Sequence, residues 1–134
     1  MGLATQTEGA VTIAIARDPA LVRTARLVAA AVARRADRPD TVIEAARLAV
    51  GEACAVMIGI DEPVETAAAD DRIEISLRAE MSRFVVTVRG RIAPADPSFE
   101  DIDLDPWTLL EGISDELTIE SQDGVTTVRM TWPA

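Results

Sequence analysis

Two side chains near the middle of the chain could do chemistry, and both lie in the sequence AVGEAC, residues 49–54. Glu52 stands among small neighbours, so another molecule could approach its carboxylate closely, although an isolated glutamate on a helix is usually only solvated. Cys54 could act as a nucleophile only if a neighbouring group activated its thiol. Because the chain contains no histidine, we expect Cys54 to be a reduced thiol in the core.

Several classes of chemistry are excluded by residue types that the chain lacks. It contains no His, Lys, Asn or Tyr, so all 13 of its positive side chains are arginines. Histidine acid–base chemistry, histidine metal sites and lysine Schiff bases are therefore excluded. The net charge is −10, and no basic patch of the kind that nucleic acid requires is present. This charge favours a basic protein as the partner.

Length and composition indicate one globular domain. We expect it to span residues 9–134, after a disordered N-terminus over residues 1–8. The chain is 49% hydrophobic but only 3% aromatic, which predicts a core of Ala, Val, Ile and Leu. It has no pattern of a signal peptide and no apolar run long enough to span a membrane, so we expect a cytoplasmic protein.

The residues around Glu52 predict a long helix over residues 41–60, with Asp40 as its N-cap. Its apolar residues recur with the spacing of three and four that is typical of a buried stripe. The stripe consists of Val42, Ala46, Ala49, Ala53, Val56, Met57 and Ile60. Gly51 falls towards the other side of the helix, and Glu52 immediately precedes a residue of the stripe.

An earlier helix follows a strand of β-branched residues that starts near Gly9. Asp18 and Pro19 predict its start, as an N-cap and a first helical residue. The arginines of its last turn suit the negative end of the helix dipole, whereas Arg23 and Arg26, in its first half, do not. These two arginines form either a solvated edge or a contact with a partner.

The second half of the chain predicts two β-hairpins. Alternating apolar residues indicate their strands, and Asp123-Gly124 is a strong signal for the turn of the second hairpin. The four strands are 72–80, 83–90, 115–121 and 125–132.

The segment 91–106 between the hairpins has little periodicity, and a short helix is expected over residues 106–112. The order of elements predicts the α+β class. We expect a two-layer sandwich in which a mixed, mostly antiparallel sheet carries two long helices and the short one on one face.

This order, together with three segments, resembles the anti-sigma-factor serine kinases of bacteria, which have the histidine-kinase-like ATPase fold, also called the GHKL or Bergerat fold. The segments are residues 25–35, residues 47–56, and residues 107–121 with 126–132. The second segment, RLAVGEACAV, is similar to the family motif I-K-x-A-V-S-E-A-C-x-N. The resemblance covers almost the whole chain and implies the same fold.

The resemblance also implies a nucleotide site, but most of its residues differ here. Glu52 takes the place of the family's general base, which acts on the serine of a phospho-acceptor protein. Val56 stands where the family has an asparagine that holds Mg²⁺, and a hydrocarbon side chain offers the ion no oxygen. Gly90 takes the place of the aspartate that reads adenine, and Ile92 that of a following glycine.

The family's glycine-rich phosphate turn corresponds to Leu104, Asp105 and Pro106. Proline lacks an amide donor and aspartate repels phosphate, so this segment lacks the features of a phosphate-binding loop. We therefore expect no cofactor, since binding of ATP with Mg²⁺ is disfavoured, and we do not expect an enzyme.

Arg26 precedes Glu52 by 26 residues. At this separation, members of the family carry an arginine that contacts a sigma factor and, alternately, an antagonist protein. The planar guanidinium suits such a contact because it can bind carboxylates or carbonyls through two donors. Arg23 is near and could share this role, and the alternative for both residues is an ordinary helix surface.

The leading hypothesis is an anti-sigma factor, or a closely similar regulator, that sequesters a sigma factor without ATP. Its partners would be the sigma factor and a second copy of the chain in a homodimer, with a STAS-type antagonist as a further candidate. We expect no direct contact with nucleic acid or a membrane. The alternative is an active serine kinase that phosphorylates the antagonist, with Glu52 as the general base. In a third hypothesis the chain keeps only the fold and binds an adaptor.

Overall fold

A computed structural model describes residues 10–59, 72–92 and 107–134. The elements are β1 Ala10–Ile15, α1 Pro19–Arg35, α2 Asp40–Ile58, β2 Ile73–Ala79, β3 Arg83–Arg91, α3 Thr108–Ile113, β4 Glu116–Gln122 and β5 Val125–Pro133. The predictions for residues 1–8, for Ile60 and for residues 93–106 lie outside this part of the chain. None of the described helices is long and apolar enough to span a membrane.

The five strands form one sheet in the order β1-β2-β3-β5-β4, and each pairing between them is antiparallel. Ile75, Val88 and Val128 lie opposite one another on adjacent strands and are fully buried. They share the face that α2 covers, because Met57 of α2 lies against Gly90, two residues after Val88 in β3. The predicted α+β class and two-layer architecture are thus confirmed.

Local interactions set both ends of α1. A carboxylate oxygen of Asp18 accepts a hydrogen bond of 2.9 Å from the amide of Ala20, so the predicted N-cap is confirmed. At the other end, Asp37 has a left-handed φ of 57°. The amide of Arg38 then donates to the carbonyl of Ala33 over 3.1 Å, which is the bond that defines a Schellman motif.

The start of α2 differs from the prediction. Asp40 is the first helical residue and not the N-cap, which is Pro39, and no side chain caps this end. The carbonyl of Pro39 accepts hydrogen bonds from the amides of Val42 and Ile43 over 2.9 and 3.0 Å. The carbonyl of Pro39 thus accepts the amide of Val42, the third helical residue, which a capping side chain often accepts. The carboxylate of Asp40 in the first turn still interacts favourably with the helix dipole.

Helices α1 and α2 pack against each other, and their fully buried residues are mostly alanines. Small side chains let two helix backbones approach closely while the interior stays densely packed. The fully buried alanines are Ala25, Ala29, Ala33, Ala46, Ala49 and Ala53.

Both predicted hairpins are confirmed. Asp123 and Gly124 form the two-residue turn between β4 and β5, with φ angles of 55° and 81°, as a type I′ turn requires. In the other hairpin the amide of Glu80 donates to the carbonyl of Arg83 over 2.9 Å. The guanidinium of Arg83 in turn donates to the carboxylate of Glu80 over 2.7 Å, which lowers the pKa of that carboxyl group.

Hydrogen bonds from the side chains of Arg38 and Trp132 help to connect the helical layer to the sheet. Arg38, in the turn between α1 and α2, donates to the carbonyls of Glu80 and Arg83 in the β2–β3 hairpin. The indole nitrogen of Trp132 donates to the carbonyl of Ile113 over 2.7 Å, so β5 holds the end of α3. This short helix lies one to two residues later in the chain than predicted.

Replacing Asp37 with glycine should stabilise the fold. A left-handed φ costs most residues about 1 kcal/mol or more but costs glycine very little, and the change also removes an acidic charge from the negative end of α1. We expect the free energy of unfolding, measured by urea titration, to rise by about 0.5–1 kcal/mol in Asp37→Gly. Asp37→Ala, which removes the same charge but keeps a β-carbon, serves as the control. Equal stabilisation in both variants would contradict the backbone explanation.

Candidate functional site

Glu52 of α2 lies at the boundary between the buried core of the domain and its surface. The neighbouring Val50 and Ala53 are fully buried, whereas Gly51 and Glu52 are half-buried. The helix therefore keeps the carboxylate partly accessible while its buried stripe packs on the sheet. This placement agrees with an approachable carboxylate but does not assign it a role.

Arg26 crosses from α1 onto α2 at Gly51. Its Cδ lies 2.9 Å from the point where a β-carbon on Gly51 would stand, and its Cγ and Nε lie 3.4 Å from that point. Any larger residue at position 51 would therefore have to displace the arginine stem. The structure thus brings Arg26 onto the residue that precedes Glu52, whereas Arg23 is exposed on α1.

At the C-terminal end of α2, apolar groups fill the space next to β3. A β-carbon on Gly90 would stand 3.2 Å from the sulfur of Met57 and 3.4 Å from Cγ1 of Ile73. Val56 is half-buried and packs against the core, and Ile92 is 38% exposed. The three positions that the resemblance assigns to nucleotide-site residues, Val56, Gly90 and Ile92, therefore carry no polar side chain.

Arg17 is a buried residue of this region that the sequence analysis missed. It is only 6% exposed, and its Nη2 donates hydrogen bonds to the carbonyls of Met57 in α2 and Arg91 in β3. Its acceptors are 40 and 74 residues away in the chain. No feature of the local sequence signals such distant partners.

The exposed side of α1 combines positive charge with an apolar side chain. The helix contains four arginines and no Asp or Glu. Arg23, Leu27 and Arg34 are separated by four and seven residues and so lie on one side of the helix. Leu27 is 57% exposed, and Leu48 of α2 is 41% exposed. These residues form what we call the α1 face: Arg23, Arg26, Leu27, Arg34 and Leu48.

The outer face of the sheet contains a shallow groove that is separate from these residues. Arg89, Thr127 and Glu120 line it from adjacent strands. Their side chains point away from α2, because Gly90, the next residue after Arg89, faces that helix. Alternating charges of this kind are typical of the solvated face of an antiparallel sheet.

Cys54 is fully buried, so the prediction of a core thiol is confirmed. Burial raises the pKa of this thiol to about 12, because the thiolate would lose its hydration in the apolar interior. A thiol with so high a pKa is a poor nucleophile at neutral pH.

The fold thus defines a two-layer α+β domain in which one face of an antiparallel sheet carries a glutamate-bearing helix. The model of the histidine kinase-like ATPase domain family matches residues 15–132 of the chain. The protein therefore belongs to this family. A comparison with curated proteins gives no match.

The stability of the domain should fall with pH above about 9, and Cys54 should be the cause. The thiol ionises near pH 9 when unfolded but only near 12 when folded, so its contribution is complete below pH 9 and is lost as the pH rises. The loss should be about 1.4 kcal/mol per pH unit above 9. Because the chain has no Lys or Tyr, no other side chain titrates in this range.

Urea titrations at several pH values between about 8 and 11 test this expectation. Cys54→Ala should be less stable at neutral pH because it leaves a small cavity, but its stability should not change over this range. An equally steep decline in the variant would contradict the assignment to Cys54.

Proposed function

We propose that the protein is an anti-sigma factor, or a closely similar regulator, that sequesters a sigma factor by protein–protein contact without binding or hydrolysing ATP. The observation that carries this proposal is the composition of the α1 face. Protein interfaces typically combine exposed apolar side chains with arginine and exclude water around them. Leu27 and Leu48 supply the apolar part of such a surface, and Arg23 and Arg26 supply the donors.

The packing of Arg26 on Gly51 supports its role as the central contact. The stem of the side chain already lies along α2, so fewer rotamers remain to be lost when a partner binds. Each rotamer-rich side chain that must be immobilised costs about 0.5–1.5 kcal/mol of binding free energy. An arginine that is already ordered by packing avoids part of this cost.

The charge of the whole protein and the local charge of the α1 face make different demands on the partner. The net charge of −10 attracts a protein with a basic surface over long distances. The DNA-binding surface of a sigma factor would be basic in this sense. The α1 face itself is locally positive, so direct contact there requires carboxylates or carbonyl groups on the partner. A partner with both basic and acidic regions meets both conditions.

The same proposal accounts for the replaced nucleotide-site residues. The family implies Mg²⁺ with ATP, but neither Val56 nor Gly90 offers an oxygen to the metal or to adenine, and the chain contains no Asn. Met57 and Ile73 leave little space for a larger side chain at position 90. The described residues therefore do not fit the family's way of holding the nucleotide.

Two further partners belong to the proposal. A STAS-type antagonist would release the sigma factor by competing for the α1 face. A second copy of the chain would form a homodimer through β1 and α1, and β1 is an edge strand of the described sheet, so its outer side has no neighbouring described strand.

The alternative is a serine kinase, and the partly accessible Glu52 is the observation that favours it. In that case the carboxylate would accept the proton of an antagonist's serine. Calorimetric titration with Mg-ATP and Mg-ADP separates the two functions. Micromolar binding of either nucleotide would contradict the proposed function and support the kinase.

Pull-down with the sigma factors encoded in the same genome is the main test. We expect one of them to bind, and Arg26→Ala to weaken that complex at least about tenfold, or by 1.4 kcal/mol. Arg35→Ala is the matched control, because it removes the same charge from an exposed site in the last turn of α1, and it should change the affinity less than about twofold. If no sigma factor binds, the proposal fails.

The role of Gly51 can be tested with a second pair of variants. Gly51→Ala should displace Arg26 and lower the affinity for the captured sigma factor severalfold, while the gain in helix propensity, up to about 1 kcal/mol, offsets the cost to stability. Gly112→Ala in α3 is the control, because a β-carbon there meets no atom within 4 Å. It should leave the affinity unchanged. In the Arg26→Ala background, Gly51→Ala should cause no further loss, and a full additional loss would contradict the contact.

A further inference from the structure

We propose that Arg17 is an internal clasp, which holds the start of α1 to the ends of α2 and β3 without a bound ligand. The inference rests on the proposed function only in taking the domain to work without nucleotide. It concerns a buried residue that lies outside the α1 face.

The position of Arg17 makes it a link between three elements. It follows the last residue of β1 by two positions and directly precedes Asp18, which caps α1. Its guanidinium reaches the carbonyl of Met57, in the last turn of α2, and the carbonyl of Arg91, the last residue of β3. A displacement of either carbonyl therefore acts on the residue next to the cap of α1.

The chemistry of these contacts explains why an arginine is needed. The last four carbonyls of a helix have no amide donor within the helix, and together they carry partial negative charge. The carbonyl of Met57 is one of them. A guanidinium is always charged and has five N–H donors, so one side chain can serve carbonyls from two elements. These hydrogen bonds help to compensate for the hydration that the buried charge loses.

The clasp lies at the end of the site where the family's adenine-reading residue is replaced. Gly90, which stands at that position, directly precedes Arg91, and the sulfur of Met57 lies against it. The helix α2 and the strand β3 thus meet in two ways, through the apolar contact of Met57 with Gly90 and through the hydrogen bonds of Arg17 to Met57 and Arg91.

Hydrogen exchange of the isolated protein tests the clasp without any partner. In Arg17→Ala, amides of residues 20–24 and 55–59 should exchange at least about tenfold faster, while those of the β4–β5 hairpin change little. Arg35→Ala, which removes an exposed arginine of the same helix, should have no such effect. Addition of guanidinium chloride, far below its denaturing concentration, should restore slow exchange in Arg17→Ala by refilling the vacated site.

Several outcomes would overturn the inference. One is an unchanged rate of amide exchange in Arg17→Ala. The others are a uniform increase of the exchange rate across the sheet, and a local increase of the rate that guanidinium does not reverse. If Arg17→Ala does not fold, Arg17→Met keeps the apolar stem without the donors and should show the same local increase. In the wild-type protein, slower exchange of residues 55–59 upon addition of Mg-ATP would also overturn it. Failure to capture a sigma factor would leave these results unaffected, so the two proposals fail separately.

Discussion

The close contact between α1 and α2 is the constraint on which the arrangement of the candidate site depends. Most of the fully buried residues of the two helices taken together are alanines, and side chains of this size allow a small distance between the helix axes. At Gly51 the β-carbon is also missing, and the stem of Arg26 occupies that space. A larger side chain at any of these buried positions would force the helices apart or strain their rotamers. The position of Arg26 is therefore fixed by small residues on the neighbouring helix.

The C-terminal end of α2 is held in place by both apolar packing and hydrogen bonds. Met57 and Ile73 pack around Gly90, which removes apolar surface from water. Two main-chain carbonyls of this region, those of Met57 and Arg91, accept hydrogen bonds from Arg17. An unpaired carbonyl buried in such surroundings would cost about 1–3 kcal/mol. The chain's own side chain thus supplies hydrogen-bond donors to both of these carbonyls.

Much of the fold was predictable because its signals are local. Asp18 before proline specifies a helix start, and Asp123-Gly124 specifies a tight hairpin, since each acts through its own backbone geometry. Asp40 shows the limit of this reasoning. It has the side chain of an N-cap, but the preceding Pro39 already supplies the first helical carbonyl, so the helix begins one residue earlier than the capping rule predicts.

The contacts of the candidate site were less predictable because they are not local. The resemblance indicates Arg26 through its separation from Glu52. Its packing against Gly51, however, depends on how the two helices pack. Arg17 gave no signal at all, because its acceptors are main-chain carbonyls, and every residue type has one. Side-chain patterns can reveal a buried stripe or a turn, but they do not reveal which carbonyls a distant arginine will reach.

A regulator without phosphoryl transfer needs another way to release its partner, and the α1 face restricts the choices. The face consists of one side of α1 together with Leu48 of α2, and Arg26 packs between the two helices, so two proteins that both require Arg26 cannot occupy it together. The partner with the higher product of affinity and concentration then displaces the other. Because α1 carries four of the chain's 13 arginines and no acidic residue, two such competitors must present similar acidic or carbonyl groups there. In the proposed function, competition for this one surface can therefore take the place of the chemical step that an active kinase would perform.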